Sequence, residues 1–229
     1  MNTNFNTFLR QIDSPKILNI EPFELKRKLD KTSRVKPSIL HYSHLGCLMA
    51  YVESHNEAKH ILTFEYNKSI KHYLTQPATF TIEVNGKKVP HTPDVVIIYH
   101  DDTVEFIQIK LEKKAQDEEY KSYFKQLVKF FKEELGVSYT LRTEASFGEG
   151  KYIENLQQLY LYLDVELSTE TTNKIIAELP SALTIHELEQ LCVKHKETDV
   201  YAWALIAQGH FEYDCKTILT KQSQITQTQ

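Results

Sequence analysis

Between His91 and Lys110 the chain reads His91-Thr92-Pro93-Asp94-Val95-Val96-Ile97-Ile98 and then Val104-Glu105-Phe106-Ile107-Gln108-Ile109-Lys110. An aspartate precedes one apolar run, and a Gln-x-Lys ends the next. Side chains at i and i+2 of a strand share a face, so Gln108 and Lys110 point the same way. If the two runs pair as a hairpin across His100 to Asp102, Asp94 falls within about a residue of the level of Gln108 and Lys110; a bulge would shift it by one. Phosphodiester hydrolysis uses such a grouping. A hard divalent cation takes oxygen ligands, here the Asp94 carboxylate, a Gln108 oxygen or its backbone carbonyl, and one further carboxylate. The cation polarises the phosphate and helps to generate hydroxide, while a lysine orients the water or stabilises developing charge. The plainer alternative is a turn aspartate and a strand-end lysine whose stem covers apolar surface. Gln108 weighs against it. A polar side chain among Phe106, Ile107 and Ile109 is costly to bury unless it has a partner.

The elements that must position these residues follow from periodicity. Glu53 to Tyr66 reads as a helix with Ala58, Ile61, Leu62 and Phe64 near one face. Ala78 to Val84 alternates and then meets Asn85-Gly86, a strong hairpin signal. Val95 to Tyr99 and Val104 to Leu111 are strands of the buried type. Gln116 to Leu135 is a long amphipathic helix with Tyr120, Phe124, Leu127, Phe130, Phe131 and Leu135 toward the core, stopped by Gly136. Its aromatic stripe has core spacing rather than that of a base-stacking platform. Val137 to Arg142 is a further strand, and a helix follows around Ile153 to Leu163. This order indicates a mixed α/β domain. The polar stretch Ser168 to Thr172 breaks the pattern, which sets domains at 1–167 and 168–229. Three short helices are expected after it, at Asn173–Leu179, Ile185–Val193 and Val200–Gln208. Thr184 and Glu187 form a capping box, Gly209 closes the third helix, and Phe211 to Tyr213 is a candidate wing strand. A small winged-helix-like module results, with the polar tail Gln222 to Gln229 frayed.

Composition narrows the class. Of 229 residues, 41% are hydrophobic and 11% aromatic, enough for a packed core and against wholesale disorder. No aliphatic run is longer than Val95 to Ile98, so no membrane span is expected. The first residues lack the basic start and apolar stretch of a signal peptide, and the cysteines Cys47, Cys192 and Cys215 are scattered without a C-x-x-C. Free thiols in a reducing cytoplasm are expected. The net charge of −4 gives no general attraction to nucleic acid, so DNA contact must be local. The first 36 residues carry a basic excess, with Lys26, Arg27, Lys28, Arg34 and Lys36 as phosphate-contact candidates; Lys113 and Lys114 follow the second strand. From Ser168 onward five lysines face eight acids, which suits partner docking better than groove reading. His41 and His44 lie three apart, but no Cys or acid completes a zinc set, and His91 reads as a turn histidine beside the chemistry. No nucleophile elbow and no phosphate-cradling glycine loop is present.

The order Glu57, Leu62-Thr63-Phe64-Glu65-Tyr66, Gln76-Pro77, Thr92-Pro93-Asp94 and Gln108-Ile109-Lys110 resembles the TnsA transposon endonucleases, whose nuclease domain has the PD-(D/E)xK, restriction-endonuclease-like fold. The resemblance runs from about Ser54 to Glu144, within a core at about 53–144, and glutamine in place of the usual acid is characteristic of that family. The stretch Val200 to Ser223 resembles the family's winged-helix-like domain. What the resemblance implies is a restriction-endonuclease-like mixed-sheet core followed by that module. Ser54-His55-Asn56-Glu57 fits the family's S-x-x-E, so Glu57, Asp94 and Gln108 would bind Mg²⁺ (Mn²⁺ as substitute) and Lys110 would be the catalytic lysine. Glu53, a turn earlier, is the competitor of Glu57. The family's role is to cut the 5′ ends of the transposon, while a DDE-type transposase handles the 3′ ends under an AAA+ ATPase regulator. A bacterial cytoplasmic protein acting at the nucleoid is implied. Two alternatives stand beside this: a restriction or repair nuclease of the same fold, and a catalytically silent DNA-bridging adaptor.

Overall fold

The two apolar runs around the Asp94 and Gln-x-Lys motifs become the middle of a four-stranded sheet. In the computed structural model, residues 17–19, 39–45, 48–148, 150–180 and 182–228 are described. The strands are β1 (Ile17–Asn19), β2 (Ile39–Ser43), β3 (Leu48–Val52), β4 (Ile70–Thr75), β5 (Thr79–Val84), β6 (Lys87–His91), β7 (Val95–Tyr99), β8 (Val104–Ile109) and β9 (Ser138–Arg142). Among them lie helices α1 (His55–Glu65), α2 (Glu112–Ala115) and α3 (Glu118–Leu135). The central sheet has the order β4-β7-β8-β9, with β8 and β9 parallel and the other pairs antiparallel. β1, β5 and β6 form a second sheet, and β2 with β3 a two-stranded ribbon. This is the mixed α/β architecture expected from the order of helices and strands.

Strand alternation splits the core in two. Val96, Ile98, Phe106 and Tyr139 face β5 and the apolar side of α3, where Phe80, Leu127 and Phe131 are fully buried. Val95, Ile97, Ile107 and Ile109 face the other way, toward Ile61 and Phe64 of α1 and Val52 of β3. Helix α3 begins where the Asp117 side chain accepts the Tyr120 N–H, and it ends at Gly136, whose φ of 67° few other residues adopt readily. Asn85 and Gly86 take φ of 50° and 74°, the twist that a two-residue hairpin needs.

Contacts divide the chain into two compact units, the first ending at Ser146 and the second beginning at Phe147. This is earlier than the boundary at 167/168 read from the sequence. The reason lies in what α4 (Tyr152–Leu159) touches. Asn155, fully buried, donates to the Thr217 carbonyl and accepts from the Leu219 N–H, both near the C-terminus. Gln208 likewise reaches back to the carbonyls of Leu163 and Val165. Ser168 is not a break but an N-cap, accepting the Thr171 N–H at the start of α5 (Thr169–Ala177). The expected capping box of Thr184 and Glu187 opens α6 (Ile185–Lys194), and α7 (Asp199–Ala207) follows. The tail does not fray: β12 (Gln224–Gln227) is the middle strand of a sheet between β10 (Leu183–Thr184) and β11 (Phe211–Tyr213). Burying Ile225 anchors it, a single apolar residue that composition alone hides.

Among the described residues, no helix is long and apolar enough to cross a membrane. Cys192 and Cys215 are free thiols, and Cys47 lies outside the described residues.

Candidate active site

The register of β7 on β8 pairs Val95 with Ile107 and Val96 with Phe106, and one further step sets Asp94 across from Gln108. Both side chains then lie on the α3 face of the sheet. The Asp94 N–H donates to the Ile107 carbonyl at 3.1 Å, and its own carbonyl accepts the Gln76 N–H at 2.8 Å, fixing the backbone. The carboxylate oxygen Oδ2 accepts the Ile109 N–H at 2.7 Å and the Gln108 side-chain amide, and the Lys110 ammonium stands 3.8 Å from it. All three of these interactions fall on Oδ2. Burial raises the Asp94 pKa to about 6 despite the nearby Lys110 charge and the Ile109 N–H, both of which pull it down; the Glu57 carboxylate pushes in the same direction as burial.

Gln108, 3% exposed, has the partners that its burial demands. Its amide nitrogen donates to Asp94, and its oxygen accepts the Tyr139 hydroxyl at 2.8 Å. Lys110 is held by its backbone: its N–H donates to Arg142 on β9, and its carbonyl accepts the Asn56 amide at 3.1 Å, which ties α1 to the end of β8.

Glu57 enters from α1. Ser54 is the N-cap of that helix and accepts the Glu57 N–H, while the Glu57 carboxylate accepts the Ser54 hydroxyl at 2.7 Å and the Glu53 N–H at 2.9 Å. S-x-x-E is thus a helix-start device as well as a means of aiming a carboxylate. Glu53 precedes the N-cap and is not on the helix as the sequence suggested. Both acids line the cleft, but it is the Glu57 charge that acts on Asp94.

The four groups converge on one cleft of about 790 Å³, shared with Thr79, His91, Thr92, Tyr120 and Tyr123. Three of these residues carry no obvious sequence signal. His91 is not a turn residue: it ends β6, paired with Phe80, so its ring points inward to Tyr139 at 2.6 Å and Tyr123 at 3.2 Å. Tyr120 and Tyr123 come from α3, where their rings pack together and line the cleft. Tyr120 is 9% exposed, its hydroxyl is buried without a hydrogen-bond partner among the described residues, and burial together with the Asp94 charge raises its pKa.

The remaining candidates lie elsewhere. Lys113 and Lys114 are exposed on α2, immediately after Lys110, and Lys114 pairs with Asp117 at 4.0 Å. Lys26, Arg27, Lys28, Arg34 and Lys36 lie outside the described residues. Among the described residues, no group of three or more His, Cys, Asp or Glu side chains is arranged to hold a metal. A cation held in this cleft would have the Asp94 and Glu57 carboxylates, an amide oxygen and water to draw on. That oxygen-only set fits a hard cation. A buried carboxylate with a raised pKa beside a second carboxylate, and a buried hydroxyl wanting a partner, are what a missing positive charge and its hydration shell would leave behind.

Residues 67–144 match the profile of the family described as TnsA-like endonuclease N terminal. The match supports a TnsA-like nuclease. It covers about a third of the chain and includes Asp94, Gln108 and Lys110, whereas Glu57 and the second unit lie outside it. No curated protein matches the chain.

Proposed function

We propose that this chain is a divalent-cation-dependent DNA endonuclease subunit of a heteromeric cut-and-paste transposase, hydrolysing phosphodiester bonds at the 5′ ends of the transposon. The observation that carries the reading is the convergence of Asp94, Gln108, Lys110 and Glu57 on one cleft, with the first three inside the segment that matches the TnsA-like family. Asp94 and Glu57, with an oxygen of Gln108, would hold Mg²⁺, or Mn²⁺ in its place; such an ion supplies a nucleophilic hydroxide and a Lewis acid for the phosphate. The chain's own residues do the rest. Lys110, beside Asp94, stabilises charge developing on the phosphate or orients the attacking water. Lys113 and Lys114 flank the cleft along the chain and contact the DNA backbone, and the basic segment Lys26 to Lys36 adds further phosphate contacts.

The partners proposed are double-stranded transposon-end DNA, a DDE-type transposase that cuts and joins the 3′ ends, and an AAA+ ATPase regulator, all in the bacterial cytoplasm. The second unit, read as winged-helix-like, docks partners rather than DNA, in keeping with its acidic balance. The family match favours this reading over a restriction or repair nuclease. The retained set of four polar residues favours it over a silent adaptor.

The test uses the cognate transposase and regulator, end DNA labelled on each strand, and mixtures with and without this chain, in Mg²⁺ or in chelator. Cuts on the 5′ strands are expected only when the chain and Mg²⁺ are both present. The same cuts without the chain would assign them to the transposase and end the proposal.

A further inference from the structure

The hydrogen bonds behind Asp94 form a chain with a direction. Tyr123 Oη lies 3.2 Å from His91 Nδ1, and His91 Nε2 lies 2.6 Å from Tyr139 Oη. Tyr139 donates to Gln108 Oε1 at 2.8 Å, and Gln108 Nε2 donates to Asp94 Oδ2. A tyrosine hydroxyl has one proton, and that of Tyr139 goes to Gln108. Its oxygen must then accept from His91, so His91 carries its proton on Nε2 and accepts from Tyr123 at Nδ1. Burial, with help from the Lys110 charge, lowers the His91 pKa to about 4, so the ring is neutral near pH 7 and has only one N–H to give. Every member donates toward Asp94.

This polarity has a chemical consequence. It holds the NH₂ group of Gln108 against the Asp94 carboxylate, and an amide nitrogen does not ligate a hard cation. Turning the Gln108 amide over by itself would set its NH₂ against the hydroxyl proton of Tyr139. The two residues are 3% and 4% exposed, so water cannot relieve two donors facing each other there. The amide can turn only if Tyr139 and His91 turn with it.

We infer that His91 and Tyr139 are positioning residues for Gln108, and that a divalent cation at Asp94 reverses the donor chain. In the reversed state Gln108 presents its oxygen to the cleft and its NH₂ to Tyr139. Tyr139 donates to His91 Nε2; the Nε2 proton is released to water while Nδ1 takes one from water, and His91, now protonated on Nδ1, donates to Tyr123. Each group keeps its number of protons, so no net charge is gained or lost. The inference deepens the cation reading of Asp94 and Gln108 and rests on it. Hydrogen-bonded partners behind a ligand tune affinity by about 10- to 100-fold, and here they would also fix which atom of the ligand faces the ion.

Two-bond ¹⁵N–¹H correlations of the full-length, ¹⁵N-labelled protein distinguish the two imidazole tautomers, and His91→Gln assigns the His91 signals. In a MgCl₂ titration without DNA, His91 is expected to start as Nε2–H and finish as Nδ1–H. Tyr139→Phe is expected to bind Mg²⁺ about 10- to 100-fold more weakly, and Asp94→Asn not to bind at all. If wild type binds Mg²⁺ in an Asp94-dependent way while His91 stays Nε2–H, the proposal is overturned and the cation reading survives; Gln108 then only orients Asp94. If wild type binds no Mg²⁺ at any concentration, the cation reading fails and the proposal with it. Should Tyr139→Phe lose its fold, the tautomer of His91 in the wild-type protein decides alone.

Discussion

A carboxylate that titrates near pH 6 must bind cations in a strongly pH-dependent way. Burial raises the Asp94 pKa from 3.8 to about 6. At pH 5 about a tenth of such groups are ionised, and at pH 8 nearly all are. If ionised Asp94 is the form that takes the cation, apparent Mg²⁺ affinity falls about tenfold from pH 8 to pH 5, equivalent to about 1.4 kcal/mol. An ordinary carboxylate would be more than nine-tenths ionised at pH 5, roughly, and would lose almost nothing. The same shift works on stability. Because the folded pKa is the higher one, the penalty is absent below about pH 4 and complete above about pH 6. Two units of difference amount to about 3 kcal/mol against the metal-free fold. Asp94→Asn should therefore make the metal-free first unit more resistant to denaturant at pH 8 than wild type, and no more resistant at pH 4. The assay is Mg²⁺ titration calorimetry at pH 5 and pH 8, with the Asp94 carboxyl carbon followed by NMR. Equal affinities at the two pH values, or an Asp94 midpoint below 4 in the metal-free protein, would refute the reasoning.

Further predictions address the walls of the cleft and the second unit. Tyr120→Phe removes a buried hydroxyl that has no partner among the described residues. It should leave thermal stability unchanged or raise it by about 1 kcal/mol, while 5′ cutting falls; a clear loss of stability would mean that the hydroxyl already has a structural partner. Ser54→Ala removes both the cap of α1 and a bond that aims Glu57. A cost of about 1 kcal/mol in urea unfolding is expected together with weaker Mg²⁺ binding, and unchanged binding would separate Glu57 from the ion. Asn155→Ala leaves the buried Leu219 N–H unpaired and removes the Asn155 bond to the Thr217 carbonyl, which lies on an exposed residue. It should cost about 1–3 kcal/mol, read as early loss of near-UV signal from Trp203 in the second unit, and an unchanged stability would contradict it.

The chemistry was legible in the sequence where it is local. Asp94 and the Gln-x-Lys lie on two neighbouring strands, so alternation and hairpin pairing bring them together with little help from the rest of the fold. The burial of Gln108 could be anticipated from Phe106, Ile107 and Ile109, and with it the need for partners. Which partners could not. Tyr139 is 31 residues from Gln108, and His91 is 48 from Tyr139; only the parallel pairing of β9 with β8 and the antiparallel pairing of β6 with β5 bring them into contact. Tyr120 sits at a position that amphipathic periodicity assigns to the core, Tyr123 was not singled out at all, and periodicity says nothing about where a hydroxyl ends. Glu57 emerged through family resemblance, because S-x-x-E is equally a capping signal. The tail strand β12 was missed because one buried isoleucine among polar residues has no visible period. The boundary at Ser168 was misplaced because an N-cap serine followed by threonines looks like a linker until the helix behind it is seen.

The central claim is that Asp94 belongs to a hydrolytic centre. The most direct test is the single-turnover rate of 5′-strand cutting by Asp94→Ala in a fully assembled complex with transposase, regulator, end DNA and Mg²⁺. A loss of at least about 10³-fold is predicted, with complex assembly and 3′-strand joining retained. A mutant rate within tenfold of wild type would contradict the account and leave this chain a structural partner of the transposase.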